Sequence, residues 1–367
     1  MSIFVNKPVI VREVFADNLE YEFMLIQSAL NNSPFVSMDT EFPGTIFKPD
    51  KNIVQLGNPE INYRFMKVNV DALKIIQLGL TLSDSEGNLP DFGTPFCYIW
   101  EFNFKDFDIE KDRYDKESIE LLKRQGIDLK RNKKKGIYSR DFGMMFLISG
   151  LGFSELTWVT FHSAYDFGFL LKILTQHPLP PDLKSFMRHM TSYFGCRIFD
   201  IKYNFKILNL HGGLEKVAKA LNVARVAGLS HQAGSDSLLI LHCFMRIKNM
   251  KAFKQCNQNL PALALDCFLF PPIEDALLSD FPSFGEARPR EEVLKEKGKD
   301  WKEIDEKLEA MKIKGTVAVT MKERGAKASF GNGHDKSLRK SEPVEATADA
   351  DHQPQRSLQL TGFSLLG

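Results

Sequence analysis

The chain has 367 residues, 43% of them hydrophobic and 30 of them Phe, so it can bury one large core or two smaller ones. With 48 Lys and Arg against 47 Asp and Glu, the formal charge of +1 excludes a global field that would identify a polyanionic partner. Five cysteines without a C-x-x-C pair argue against a disulfide framework and a thiolate zinc site. No run of about 18 apolar residues and no signal peptide is visible, so we expect a protein of the cytoplasm and nucleus without membrane association.

The first third of the chain predicts a helix followed by three strands. Apolar residues recur at helical spacing over 19–30, and Pro34 stops that helix. The short apolar run at 35–39 predicts a strand. Residues 74–82 and 96–104 flank a polar stretch rich in Gly and Pro, which predicts a hairpin.

The following residues, up to about 255, alternate between helical and strand patterns. Helical periods appear in KESIELLKRQG and RDFGMMFLISG, before the short β-branched and aromatic strand TWVTF. Four further helical patterns surround the apolar RIFDIKY, namely AYDFGFLLKILTQ, PDLKSFMRHMTSYF, GGLEKVAKALN and SDSLLILHCFMRIKNM. Strands mixed with helices in this order predict an α/β domain with a mixed sheet over 1–255.

The composition changes after residue 255. Residues 256–285 include the apolar PALALDCFLF and form an extension of uncertain role. Residues 286–340 contain 15 Lys or Arg, 11 Asp or Glu and two aromatic residues, too little apolar surface to offset the entropy of ordering. We therefore expect a charged, mostly disordered tail over 286–367. An amphipathic pattern at 299–312 predicts a helix that either docks on a partner or stays solvated.

Two carboxylates, Asp39 and Glu41, stand at the end of the apolar strand FVSM. Side chains at i and i+2 of a strand point to the same face, so these two acids would lie side by side and repel each other. Either a bound cation relieves that repulsion, or the strand has already ended and both acids are solvated in a loop.

Two further clusters place acids at helix starts. Asp166 lies in the first turn of the helix after TWVTF, where an acid can simply compensate the helix dipole. His231 and Asp236 straddle a Gly-Ser turn before an apolar helix, and the histidine alone would suit a hydrogen-bonded surface position. Because α/β sheets gather active-site groups at such places, four carboxylates and a histidine can converge. Four carboxylates suit two hard divalent cations about 3.5 to 4 Å apart.

These residues stand in recognisable motifs. DTEFPG, FHSAYDFGFLLKIL and HQAGSDSLL resemble the three exonuclease motifs of the DEDD superfamily, in its subclass with histidine. More closely they resemble the CCR-associated factor, or Pop-type, deadenylases, the nuclease subunit of the CCR-NOT complex. WEFNF and GGLEKVAKAL share that likeness, which covers about residues 9–253. Family members usually finish soon after the third motif, so more than a hundred residues from Cys256 onward depart from the pattern.

The resemblance implies a ribonuclease H-like fold, a central mixed sheet with helices on both faces. It implies that two divalent cations, Mg²⁺ or Mn²⁺, are held by Asp39, Glu41, Asp166 and Asp236. It also implies that His231 is the general base. The implied reaction is hydrolysis of the 3′-terminal phosphodiester of an mRNA poly(A) tail, releasing 5′-AMP. The implied partners are poly(A) RNA, the CCR-NOT scaffold and the second deadenylase subunit.

Two other functions remain open from the sequence. A DEDD exonuclease can act on other RNA or DNA 3′ ends, since the motifs contact phosphate and metal rather than base. A non-catalytic scaffold could use the same fold, although keeping all five site residues argues against it. We interpret Asp200 in FDIKY as a structural carboxylate, and the basic run at 130–135 as a solvated charge run rather than a contact with RNA phosphates.

Overall fold

A mixed β-sheet of six strands forms the centre of the protein. The computed structural model describes residues 7–48, 59–152, 155–202 and 210–250. The strands are β1 Val9–Val14, β2 Phe35–Glu41, β3 Gln77–Ser83, β4 Cys97–Asn103, β5 Thr157–Thr160 and β6 Ile198–Asp200. They lie in the order β1-β4-β3-β2-β5-β6, with β3 antiparallel to both neighbours and the other pairs parallel. The carboxyl ends of β2, β5 and β6 therefore meet at one edge of the sheet.

Helices cover both faces of this sheet. They are α1 Leu19–Leu30, α2 Pro59–Ala72, α3 Lys116–Arg124, α4 Leu129–Lys135, α5 Ser139–Ser149, α6 Ala164–Thr175, α7 Leu183–Phe194, α8 Leu214–Ala220 and α9 Ala233–Lys248. One apolar core combines the sheet with α1, α2, α5, α6 and α7, and a second core on the other face involves α8 and α9. The predicted fold class, a mixed sheet with helices on both faces, is confirmed. No helix within the described residues is both long and apolar enough to cross a bilayer.

Helix α9 is buried along nearly its whole length and lies against β2 and β3. Its start approaches the sheet so closely that a Cβ atom on Gly79 would lie 1.9 Å from the carbonyl oxygen of Ala233. Only glycine leaves room for this approach. Gly79 thereby fixes how far the first turn of α9, with Asp236, stands from the end of β2.

Most elements predicted from periodicity are present. The strand at 35–39 continues to Glu41, so the two neighbouring acids lie within a strand and not in a solvated loop. The basic run at 130–135 belongs to α4, where Arg131 pairs with Glu13 and Lys133 with Asp108. These ion pairs support the structural interpretation of that run.

Three elements, β1, α2 and α4, were not predicted. Buried side chains of α2 do recur at helical spacing, at Tyr63, Met66 and Val70, but polar and charged residues surround them. The extension at 256–285, the tail over 286–367 and the helix near 299–312 lie outside the described residues, and those interpretations remain predictions.

Candidate active site

The five site residues predicted from the sequence come together at the carboxyl edge of the sheet. One oxygen each of Glu41 and Asp236 and a ring nitrogen of His231 lie within 4.8 Å of one another. Asp166, in the first turn of α6, is joined to the same strand, because the backbone N–H of Thr40 donates to its Oδ1 at 3.0 Å. Asp39 precedes Thr40 on β2, and the charges of Asp166 and Asp236 both act on it.

Four crowded carboxylates make this site strongly anionic. Burial, and then the charges of Asp166, Asp236 and Glu41, hold the pKa of Asp39 well above its ordinary value. Burial raises the pKa of Glu41 in the same way, with further contributions from Asp236 and Asp166. Burial also raises the pKa of Asp166 to about 7. These carboxylates, three buried and Asp39 half-buried, resist ionisation without a counter-charge. Such a set of oxygen donors fits hard divalent cations.

Asp166 is fixed by two contacts to one residue of β2. Both the backbone N–H and the hydroxyl of Thr40 donate to its Oδ1. Thr40 points away from the Asp39 and Glu41 side of the strand, as alternation requires. The middle residue of DTE therefore links α6 to β2, a role that sequence spacing alone did not reveal.

Asp236 connects the helix start to the loop before it. Its Oδ2 accepts the backbone N–H of His231 at 2.9 Å. His231 adopts a left-handed backbone conformation with φ of 59°, which leaves its side chain 47% exposed with Nδ1 3.9 Å from Oε1 of Glu41. The carboxylate thus holds the loop so that the imidazole faces the acidic cluster and solvent.

Arg225 is a functional residue that the sequence analysis missed. Its guanidinium donates to Oδ1 of Asp236, to Oγ of Ser235 and, at 3.0 Å through Nε, to Glu215 on α8. Burial raises the pKa of Asp236, and the neighbouring Arg225 charge opposes that rise. Arg225 therefore favours the ionised form of this ligand. No local pattern in VARVAGLS points to the contact, because it depends on packing α8 beside α9.

Two polar residues of the sheet hold the first turn of α9. Oε2 of Glu101 accepts the backbone N–H of Gly234 at 3.2 Å, and Nε2 of Gln77 donates to Oε1 of Glu101 at 3.1 Å. Burial raises the pKa of Glu101 to about 7. The helix N-terminus, with its unpaired N–H groups, is a favourable neighbour for this acid. Glu101, in the motif WEFNF, thus acts as a buried support for the helix that bears Asp236.

This combination of fold and site defines a class of protein. Parallel strands β2, β5 and β6 end at one edge of a mixed sheet, and four carboxylates with a histidine gather there. The arrangement is that of the ribonuclease H-like nucleases, as the resemblance of the motifs implied.

Comparisons with known proteins identify the family. The model of the CAF1 family ribonuclease matches residues 14–142. The Arabidopsis thaliana protein named probable CCR4-associated factor 1 homolog 7 is 48% identical over 252 residues, 68% of this chain and 90% of that protein. Poly(A) ribonuclease pop2 of Schizosaccharomyces pombe is 44% identical over 241 residues, 65% of this chain and 69% of that protein. The chain belongs to the CAF1 family of ribonucleases, and the resemblance stated from its motifs is confirmed.

Solved structures agree with this assignment. S. pombe Pop2p, in a form with Mg²⁺ and Mn²⁺ bound, matches with a TM-score of 0.61 and 43% identity, over 66% of this chain and 94% of that one. CAF1 from a co-crystal with the yeast NOT1 MIF4G domain matches with a TM-score of 0.54 and 32% identity, over 65% of this chain and 88% of that one.

A second family model matches the C-terminal part of the chain. Residues 276–358 match the model described as plant specific eukaryotic initiation factor 4B. This segment lies outside the described residues, and the match was not predicted from the sequence. Its charged composition gave no motif with a chemical signature that could have revealed the match.

Proposed function

We propose that this chain is a metal-dependent 3′-to-5′ exoribonuclease that shortens poly(A) tails and releases 5′-AMP. The observation that carries the proposal is the convergence of Glu41, Asp236 and His231 within 4.8 Å, beside Asp39 and Asp166. The 44% identical relative named poly(A) ribonuclease supports the choice of poly(A) over other 3′ ends.

Asp39, Glu41, Asp166 and Asp236 would hold two divalent cations. The donor set fits, since three of these carboxylates are buried and Asp39 is half-buried. Burial raises the pKa of all four, and repulsion from the neighbouring acids raises it further at Asp39 and Glu41. The relative Pop2p binds Mg²⁺ and Mn²⁺. When bound, such cations lower the pKa of water and neutralise the charge that develops on the phosphoryl group and the leaving oxygen.

His231 is the residue we assign to proton transfer. Its imidazole is half-exposed beside Glu41, so water can reach it while the backbone stays anchored to Asp236. An imidazole can accept a proton near neutral pH, which suits removal of a proton from the attacking water. Arg225 and Thr40 orient the acids on either side of this position.

The proposed activity is tested with a 5′-labelled RNA that ends in a 3′ A tail, beside a matched RNA with a non-A tail. With Mg²⁺ or Mn²⁺ we expect stepwise shortening of the A tail and release of 5′-AMP, and excess chelator should abolish both. Full activity in chelator would contradict the metal-dependent mechanism. Equal rates on both tails would support the alternative of a general DEDD exonuclease.

The metal-free protein should lose stability as the pH rises from about 4 to about 7. The folded-state pKa of Asp166 is raised from 3.8 to about 7, mainly by burial, so in this range the folded state holds a proton that the unfolded state releases. The free energy of unfolding then falls with rising pH, by at most about 1.4 kcal/mol per pH unit for one group.

Urea unfolding in chelator at pH 5 and pH 7.5 measures this dependence. Because other groups titrate in the same range, the comparison is with Asp166→Asn, which lacks the titrating carboxyl. We expect a shallower fall with pH for the variant than for the wild type. An identical pH dependence for both proteins would show that Asp166 ionises normally.

We propose that the chain also associates with the scaffold of the CCR-NOT complex and with its second deadenylase subunit. The supporting observation is the match to CAF1 from a co-crystal with the NOT1 MIF4G domain. Co-purification of this chain with a MIF4G domain of that scaffold tests the first association. If the two proteins form no complex at micromolar concentration, the proposal is contradicted. Residence in the cytoplasm and nucleus stays a prediction.

We propose that residues 1–255 form the nuclease domain and that residues beyond 285 are dispensable for catalysis. All five site residues precede Cys256, and a separate family model matches 276–358. A chain truncated after Gly285 keeps the apolar PALALDCFLF, since the loss of an apolar segment risks aggregation. At equal folded concentration we expect tail-shortening rates within about tenfold of the full chain. A larger loss would show that the C-terminal segment builds or positions the site.

A further inference from the structure

A pair of basic side chains lies at the same edge of the sheet as the acidic cluster. His162 follows the end of β5, and Lys202 follows the end of β6. β5 and β6 are parallel neighbours, with Thr160 opposite Asp200. Adjacent strands lie about 4.8 Å apart, so this pair stands next to the strand that leads into Asp166.

Asp200 organises both residues through the backbone. Its Oδ1 accepts the N–H of His162 at 3.0 Å and that of Lys202 at 2.9 Å, and its Oδ2 accepts the N–H of Ser163 at 2.9 Å. His162 has a φ of 62°, the left-handed region that non-glycine residues seldom adopt. The structural carboxylate therefore fixes an unusual turn that brings the two side chains together.

The two side chains face each other. Nζ of Lys202 lies 3.4 Å from Nδ1 of His162 and 5.8 Å from the centre of the Phe161 ring. Because a protonated lysine has donors only, we assign Nδ1 as the acceptor in this contact and place the ring proton on Nε2. The pair thus offers a positive charge together with an imidazole N–H donor. Among the described residues, no carboxylate forms an ion pair with Lys202.

We propose that Lys202 and His162 form a subsite for a non-bridging oxygen of a backbone phosphate of the RNA, other than the phosphate that is hydrolysed. The inference rests on the proposed function and adds a contact to it. A single-stranded RNA that enters this edge meets four carboxylates, which repel its phosphates. Lys202, at the end of β6 and two strands from β2, supplies a cation at this edge that offsets the repulsion and positions the chain without reading the base.

Replacing Lys202 by Met tests the subsite, with Lys248→Met as the matched control. Lys248 is also partly exposed and stands 4.6 Å from the ring of Phe35, but Phe35 begins β2, at the opposite edge of the sheet. Binding of a labelled A-tail RNA is measured by anisotropy in chelator between 50 and 200 mM salt. Each phosphate contact to a single strand adds about 0.7 to the slope of log K against log salt.

For Lys202→Met we expect that slope to shrink by about 0.7, with affinity about tenfold weaker at low salt, since the contact is charge-assisted. Lys248→Met should match the wild type. Asparagine tolerates the left-handed backbone conformation of His162. His162→Asn should therefore weaken RNA binding without changing the slope. An unchanged slope for Lys202→Met overturns the proposal, as does an equal change for Lys248→Met.

An RNA series with one neutral methylphosphonate linkage, moved along the chain, identifies the phosphate. At a single linkage the methylphosphonate should weaken wild-type binding but leave Lys202→Met binding unchanged. Additive effects at every linkage would contradict a direct contact. The proposed function is judged separately, because wild-type release of 5′-AMP with Mn²⁺ depends on the acidic cluster. If the wild type cleaves the RNA but no single methylphosphonate linkage weakens binding, the subsite proposal is wrong and the proposed function stands.

Discussion

Asp39→Asn should lower the rate of 5′-AMP release about a thousandfold while the protein stays folded. The substitution nearly preserves shape but removes one of the four charges that would hold the cations. Electrostatic stabilisation by bound cations contributes several kcal/mol to the transition state, and about 1.4 kcal/mol corresponds to tenfold in rate. Single-turnover cleavage of an A-tail RNA at saturating Mn²⁺ measures the effect.

Thermal unfolding separates this loss of charge from a loss of fold. Because burial and neighbouring acids destabilise ionised Asp39, the metal-free variant should unfold at the same temperature as the wild type or higher. Mn²⁺ should raise the unfolding temperature of the wild type much more than that of the variant, since a ligand stabilises the state that binds it. Asp17→Asn, at an exposed turn, is the matched control and should behave as wild type. A lower unfolding temperature for metal-free Asp39→Asn would indicate a structural role instead.

His231→Ala should reduce kcat by about 10² to 10⁴, with little change in KM, because a general base acts mainly in the transition state. The backbone N–H that donates to Asp236 survives the substitution. Since His231 has a φ of 59°, alanine adds backbone strain, and His231→Asn separates that strain from loss of the imidazole. Both variants should be similarly slow if the imidazole transfers the proton.

Steady-state kinetics and RNA binding in chelator distinguish the outcomes for His231. His189→Asn is the control, because His189 is an exposed histidine on α7 whose Nδ1 contacts the carbonyl oxygen of Ser185. It should change neither kcat nor KM. Weakened RNA binding by His231→Ala with normal single-turnover cleavage would assign His231 to substrate binding. Normal activity of His231→Asn with a slow His231→Ala would point to backbone strain.

Local patterns in the sequence were enough to identify the ligand candidates and most helices and strands. The i, i+2 spacing of Asp39 and Glu41 required a shared face as soon as their strand was recognised. Asp166 and Asp236 each stand in the first turn of a helix whose apolar pattern is strong enough to read locally. These features depend on neighbours within a few residues, which is the range that a linear pattern records.

The contacts that hold those ligands in place depend on how distant segments pack together. Thr40 binds a carboxylate 126 positions away, and Gly234 binds one 133 positions away. The close approach of Ala233 to Gly79 is likewise a contact between distant segments. Such pairs form when helices pack on the sheet, and no periodicity specifies which polar atom meets which. The local sequence pattern therefore shows which strand or helix carries each carboxylate. Tertiary packing determines which hydrogen-bond partners hold that carboxylate in position.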